Sequence, residues 1–514
     1  AHAYDVGVFG DTAQEFIAHK TADQVAVHVE FFRSMTDLLE NKQFLFCAWY
    51  LHRCKCKRKM MNNLYFEDCM KRLILLLLIA YSTSSEAQKR MPDYDTVIAQ
   101  FFSRYSHENT VKEILNFAKK KDGWYVEILN PSQDGKVESS QVFWSLQKGR
   151  YQVLENFLRA TKDKPLEEKV NEQKYSAWYS AYGYSRCVYY GYEGWDIDVI
   201  NDFGNASIDN DTLYESLARA YSQHMTRYTW YQYGGKQIGD DTLQRKLDRL
   251  QMPGDERVKK IIECTEKAIA CYQKIFGRNK NYRGFAGTIE SMVFDETVHG
   301  WLQLSMCNRP TEAERFLKMA RMPQEDSLMA TNMLNAIEPN AILITFGDND
   351  IYPIYYLQEK HKIGTGVSVL HATLLSFPPY LDMMKRKNYV QFSTTAEGYG
   401  NPDYDYAFYS GRPSGKKLQI ADFVARRRNL SKVPATRGDS VQVYHEKELY
   451  MPFGNTDTLR IRLPEQVYLN DFILLDIIAH NLNERPIYFT AAWPAVAGEN
   501  MHQRGNLYRL SPAK

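Results

Sequence analysis

No apolar run in this 514-residue chain approaches the roughly 20 residues that a membrane-spanning helix needs. The longest, residues 73–80, is half that length or less. Charge of one sign is also missing: a net charge of +2 gives no electrostatic basis for binding nucleic acid. Signatures of familiar catalysts are absent too. There is no HExxH, no GxSxG and no Walker loop, and the Gly-x-Gly pairs at Gly364/Gly366 and Gly398/Gly400 lack the third glycine of a dinucleotide loop. Cysteine is sparse, with four of eight (Cys47, Cys54, Cys56, Cys69) before residue 70 and no second pair to complete a zinc site with Cys54 and Cys56. Cys264 and Cys271, seven apart on a predicted helix, would stand about 10 Å apart along its axis, beyond disulfide reach.

What the chain does have begins with the context of that apolar run. Met70-Lys71-Arg72 precedes it and Ser85-Glu86-Ala87 follows, the basic start, apolar core and small-residue cleavage site of a secretory signal peptide. The reading is a signal at 70–87 cleaved after Ala87, residues 1–69 as upstream translation foreign to the native protein, and a mature, periplasmic or secreted chain without a membrane span. Residues 88–321 read as an α-helical, repeat-like domain. Between 257 and 277 apolar residues recur at three- and four-residue spacing, and Ala313, Phe316, Leu317 and Ala320 are spaced as in a tetratricopeptide helix. Nine aromatics fall within residues 175–195, and Trp178, Tyr182 and Tyr190 among them are candidates for stacking on a sugar or peptide; packing between helices is the plainer alternative.

A linker at 322–338 leads to an α/β domain at 339–514. Its opening is an apolar run at 341–346, a Gly347-Asp348-Asn349-Asp350 turn, a helical stretch, a second apolar run at 367–375 and a helix opened by Pro378-Pro379. That pattern predicts βαβ units in a parallel sheet, with Asp348, Asn349 and Asp350 at the carboxyl edge where ligands collect. Two carboxylates there suit hydrogen bonds to sugar hydroxyls, or acid and base roles, and leave room for a divalent cation; no other cofactor is indicated. The same residue types also serve as ordinary turn and cap residues. His371, on the second run, and Arg485, before a predicted strand at 485–490, are expected at the same edge.

The segment PNAILITFGDNDIYPIYYLQEK resembles a hallmark of the bacterial protein O-mannosyltransferase-like family, in its soluble C-terminal region. VQVYHEKELYMP, LLDIIAHNLNERPIYFT and MHQRGNLYRLSP agree with later segments of that region in order, so the resemblance covers about 339–514, a third of the chain. Two positions depart from it: Ile351 replaces a Thr after GDND, and Asn483-Glu484 lacks a Trp before Arg-Pro. The family's transfer chemistry belongs to a membrane part with no counterpart in this sequence. The resemblance therefore implies a fold and an envelope or glycan setting, and no catalytic residue. The expectation is an exported cell-envelope protein that binds or assembles, with a partner protein or glycan as its ligand. The rival expectation is an enzyme acting on envelope glycans through Asp348 and Asp350.

Overall fold

The computed structural model describes residues 91–512, except 111–112, 131–135, 162–163, 177, 230–251, 396–405, 413–414, 416, 435–439, 456 and 494–499. The expected upstream segment and export signal lie outside the described residues.

The first half is not wholly helical. Helix α1 (Tyr94–Arg104) is followed by an antiparallel sheet of β1 (Ile114–Lys120), β2 (Gly123–Asn130) and β3 (Lys136–Ser145), with Arg150–Tyr151 added at its edge. Phe101, Phe117, Trp124, Phe143 and Tyr184 close a small core between α1 and the sheet. This corrects the expectation of a helical domain running from residue 88. The Asp122-Gly123 turn lets Lys120 pair with Gly123, whose φ of 153° lies where only glycine is at ease.

Helices follow: α2 (Leu166–Ser176), α3 (Trp178–Arg186), α4 (Trp195–Phe203), α5 (Asp211–Met225), α6 (Asp255–Arg278), α7 (Ile289–Met306) and α8 (Pro310–Met319). Among the described residues no tetratricopeptide-like repeat emerges: helices α5 to α8 have 15, 24, 18 and 10 residues and do not form equal pairs. The stretch expected as a linker carries a helix of its own, α9 (Gln324–Asn335), whose Ala330 and Leu334 are buried in the main core.

That core continues into the last part of the chain without a break. Strand β4 (Ile342–Thr345) is buried along its whole length, then α10 (Asp348–His361) crosses to β5 (Ser368–His371), which pairs parallel to β4. After α11 (Pro378–Lys387), two small sheets and α12 (Leu469–Asn481), strand β6 (Ile487–Phe489) joins the other side of β4, also parallel. A hairpin of β7 (Met501–Arg504) and β8 (Leu507–Leu510) then pairs antiparallel to β6. The sheet order is β5-β4-β6-β8-β7: the expected βαβ unit is present, but the sheet is mixed, not parallel throughout. The unit is a mixed helix-and-sheet structure. The central strands, of four, four and three residues, are buried at every position, as in a sheet covered on both faces.

Candidate functional site

Strand β4 ends at Thr345, and the chain turns through Phe346 and Gly347 into α10 at the carboxyl edge of the sheet. Gly347 caps the helix with extended backbone, so Asp348 is its first residue and not its cap. Asp348 and Asp350 occupy the first turn, where the exposed amides and the positive end of the helix favour anions. They then part. Asp348 Oδ1 stands 3.2 Å from Nε2 of His371, at the end of β5. Asp350 Oδ2 accepts a 2.8 Å hydrogen bond from Thr490 Oγ1, just past β6. Since β5 and β6 flank β4, one turn of helix ties the central strand's exit to both neighbours. Asn349, between them, is exposed. The two carboxylates do not converge on a point, and among the described residues no group of three or more His, Cys, Asp or Glu side chains is placed to hold a metal ion.

His371 is fixed from three sides. Its Nδ1 lies 2.8 Å from Thr373 Oγ1, its Nε2 faces Asp348, and its backbone N–H donates 2.8 Å to the Tyr380 hydroxyl. Tyr380 in turn shares a 2.8 Å hydrogen bond with the buried Tyr355. The imidazole is buried at 4% exposure, yet both groups it joins are open to solvent: Asp348 at 63%, and Thr373. An ionised Asp348 requires Nε2 to carry the proton, leaving Nδ1 to accept from the Thr373 hydroxyl.

Helix α7 supplies a second set that sequence reading passed over: Asp295, Glu296 and His299. Burial, reinforced by the charges of Asp326, Asp348 and Glu296 and opposed by His299, pushes the Asp295 carboxyl up to about 8. Burial also pushes Asp348 upward, but the His371 hydrogen bond, the imidazoles of His371 and His299, and the Tyr352 hydroxyl outweigh it and hold Asp348 below the ordinary aspartate range. For His299, burial acts downward, and the carboxylates of Glu296, Asp348 and Asp295 reverse it, raising the imidazole above its ordinary value. Glu296 Oε1 is 3.8 Å from His299 Nδ1, too long for a hydrogen bond, and is buried without one. The His299 ring stacks on Tyr352. The signal was present in the sequence: Asp295-Glu296-x-x-His299 interrupts an apolar helix buried on nearly every side, where charged groups persist only with partners.

The other candidates fall elsewhere. Arg485 sits at the opposite, amino end of the strands, donating to the carbonyls of Asn340, Ala341 and Tyr389 and to Ser368 Oγ. It precedes a strand parallel to β4, so it meets that strand's start and not its exit; the expectation that it shares an edge with Asp348 is corrected. Tyr190 is a packing residue, touching the rings of Tyr184 and Trp195 while its backbone pairs with Lys119. Tyr182 is 53% exposed and meets Phe285 edge to face. The Trp178 side chain lies outside the described residues.

A mixed sheet with a βαβ unit and a carboxylate–imidazole–hydroxyl chain at its carboxyl edge defines the class of site. Residues 327–457, from α9 through the site to the small sheets, match the family model of TMEM260-associated domain 2, a family tied to TMEM260, which is protein O-mannosyltransferase-like. No curated protein and no solved structure matches the chain. Among the described residues no helix is long and apolar enough to cross a membrane.

Proposed function

We propose that this is an exported cell-envelope protein with a binding or assembly role, acting through the carboxyl edge of its mixed sheet on a glycan or a partner protein. The observation that carries the reading is Asp348: a carboxylate held ionised, fixed from behind by buried His371, and open to solvent. A carboxylate acceptor held in place in this way suits the hydroxyls of a sugar, because little side-chain freedom is lost on the protein when they bind. The match to a family tied to an O-mannosyltransferase-like protein gives a glycan precedence over a peptide. Titration of the purified protein with oligosaccharides released from the envelope tests this. Saturable binding, lost in Asp348→Asn without loss of fold, is expected; binding unchanged in that variant removes Asp348 from the account. Export has its own test. The natively expressed protein is expected to begin at Gln88, and a protein retaining residues before Met70 would end that part of the proposal.

The pair Asp295 and Asp348 favours a second reading, an enzyme acting on envelope glycans. Environment pushes one carboxyl up to about 8 and holds the other low, the split that separates a general acid from a base. Conversion of an envelope glycan by the wild-type protein, abolished by Asp348→Ala, would favour the enzyme over the binding protein.

A further inference from the structure

The chain of groups Asp348–His371–Thr373 has an order that binding does not require. It starts with an exposed carboxylate, passes through a buried imidazole and ends on an exposed hydroxyl. From this geometry we propose that Thr373 is a nucleophile, activated by His371 as general base with Asp348 orienting the imidazole, and that it attacks neutral acyl esters. The 2.8 Å separation of Thr373 Oγ1 and His371 Nδ1 is within reach for proton transfer, and the 3.2 Å contact with Asp348 fixes the tautomer that makes Nδ1 the acceptor. Relative to the serine-protease arrangement the two ring nitrogens exchange roles, which the chemistry permits because it depends on geometry and not on which nitrogen is used. The nucleophile's backbone is also held, since Ser376 Oγ donates 3.0 Å to the Thr373 carbonyl. Tyr380 fixes the backbone of His371, so the base cannot swing away from the hydroxyl.

The charge around the site selects the substrate class. The carboxylates of Glu296, Asp326 and Asp348 give the surroundings a negative field that opposes phosphate esters and acidic substrates, while Asp295 keeps its proton, leaving the carbonyl carbon of an uncharged ester as the electrophile. In the first half-reaction Thr373 Oγ1 bonds to the acyl carbon and its proton passes to His371. The ester C–O bond then breaks, and the leaving alcohol takes that proton. In the second, water attacks the acyl-threonine and gives a proton to His371, the C–Oγ bond breaks, and Thr373 recovers its hydrogen. Where the glycan reading above also holds, the alcohol is a sugar hydroxyl carrying an acyl group; the nucleophile itself does not rest on that reading.

The test uses p-nitrophenyl acetate with the whole protein, quenched in acid and mapped by peptide mass. An acetyl group on the peptide containing Thr373 is expected, retained in Thr373→Ser and absent in Thr373→Val. Acylation in Asp348→Asn should fall about 10²–10⁴-fold, the range for a disabled general base. Thr373 and Asp348 are exposed, so these replacements open no cavity, and circular dichroism would check the fold. An acetyl-threonine that forms but does not turn over still supports the activated nucleophile. No acetyl group on Thr373, or labelling undiminished in Asp348→Asn, overturns it. Titration of the wild-type protein with unacylated envelope oligosaccharides reads the binding site and acetylation of Thr373 reads the nucleophile, so failure of one and failure of the other are seen separately.

Discussion

Replacing Asp295 by Asn gives the sharpest test of the charge distribution at the sheet edge. In the folded protein the Asp295 carboxyl holds its proton up to about pH 8, against an ordinary aspartate value of 3.8. The folded state therefore binds this proton more tightly than the unfolded chain. Stability from the group is intact below about 3.8, is lost as pH rises from there to about 8, and falls no further above that. At about 1.4 kcal/mol for each tenfold change in proton affinity, the loss is bounded at about 6 kcal/mol. Asp295 is only partly buried by surface exposure, and its three acidic neighbours relax together with it, so about 2 kcal/mol is the expected net effect. Asn carries no charge at any pH and does not suffer the loss. Urea denaturation of both proteins from pH 5 to pH 8.5 should show the variant's advantage growing by about 1.5 kcal/mol, the share of that effect that falls within the range. A difference that is flat with pH, or one that shrinks as pH rises, would refute the raised carboxyl and the acid–base split built on it.

Two further outcomes follow from side chains away from the edge. Arg485 makes four hydrogen bonds that join the starts of β4, β5 and β6, and a lysine ammonium cannot span the same acceptors; Arg485→Lys should cost about 3 kcal/mol in urea denaturation, and a loss under about 1 kcal/mol would reduce the clamp to surface decoration. Cys187, Cys264, Cys271 and Cys307 are buried free thiols, with burial pushing Cys264 and Cys271 up to about 11 and Cys307 up to about 12. These four should resist iodoacetamide at pH 8 in the native protein and react once it is denatured, as judged by peptide mass.

The legible parts of the fold were those in which local pattern and burial agree. Residues 341–346 are nearly all apolar and bounded by a glycine turn, and Ile342–Thr345 within them form a fully buried strand; the three- and four-residue spacing after 257 becomes the helix Asp255–Arg278. The sheet at 114–145 was harder. Strand β2 has two breaks in register, at Trp124/Tyr125 and Ile128/Leu129, so its buried positions do not alternate, and only the Asp122-Gly123 turn marks the hairpin. At the site, Asp348 and His371 could be read from their positions at the ends of adjacent strands. Thr373 could not, because a hydroxyl two residues past a strand is unremarkable until the backbone coils into a 3₁₀ turn and brings it back to the imidazole. Arg485 lies at the other edge for a related reason: a residue just before a strand sits at its start, and in a parallel pair that is the edge opposite the neighbouring strand's exit.

The central claim is that the Asp348 edge presents a fixed acceptor to a glycan. Calorimetric titration of wild-type protein and Asp348→Asn with envelope oligosaccharides tests it most directly. The account predicts saturable binding by the wild type and a loss of about tenfold or more in affinity for the variant, the equivalent of one charge-assisted hydrogen bond of about 1.5–3 kcal/mol. Equal affinity in the two proteins, with both folded, would contradict it.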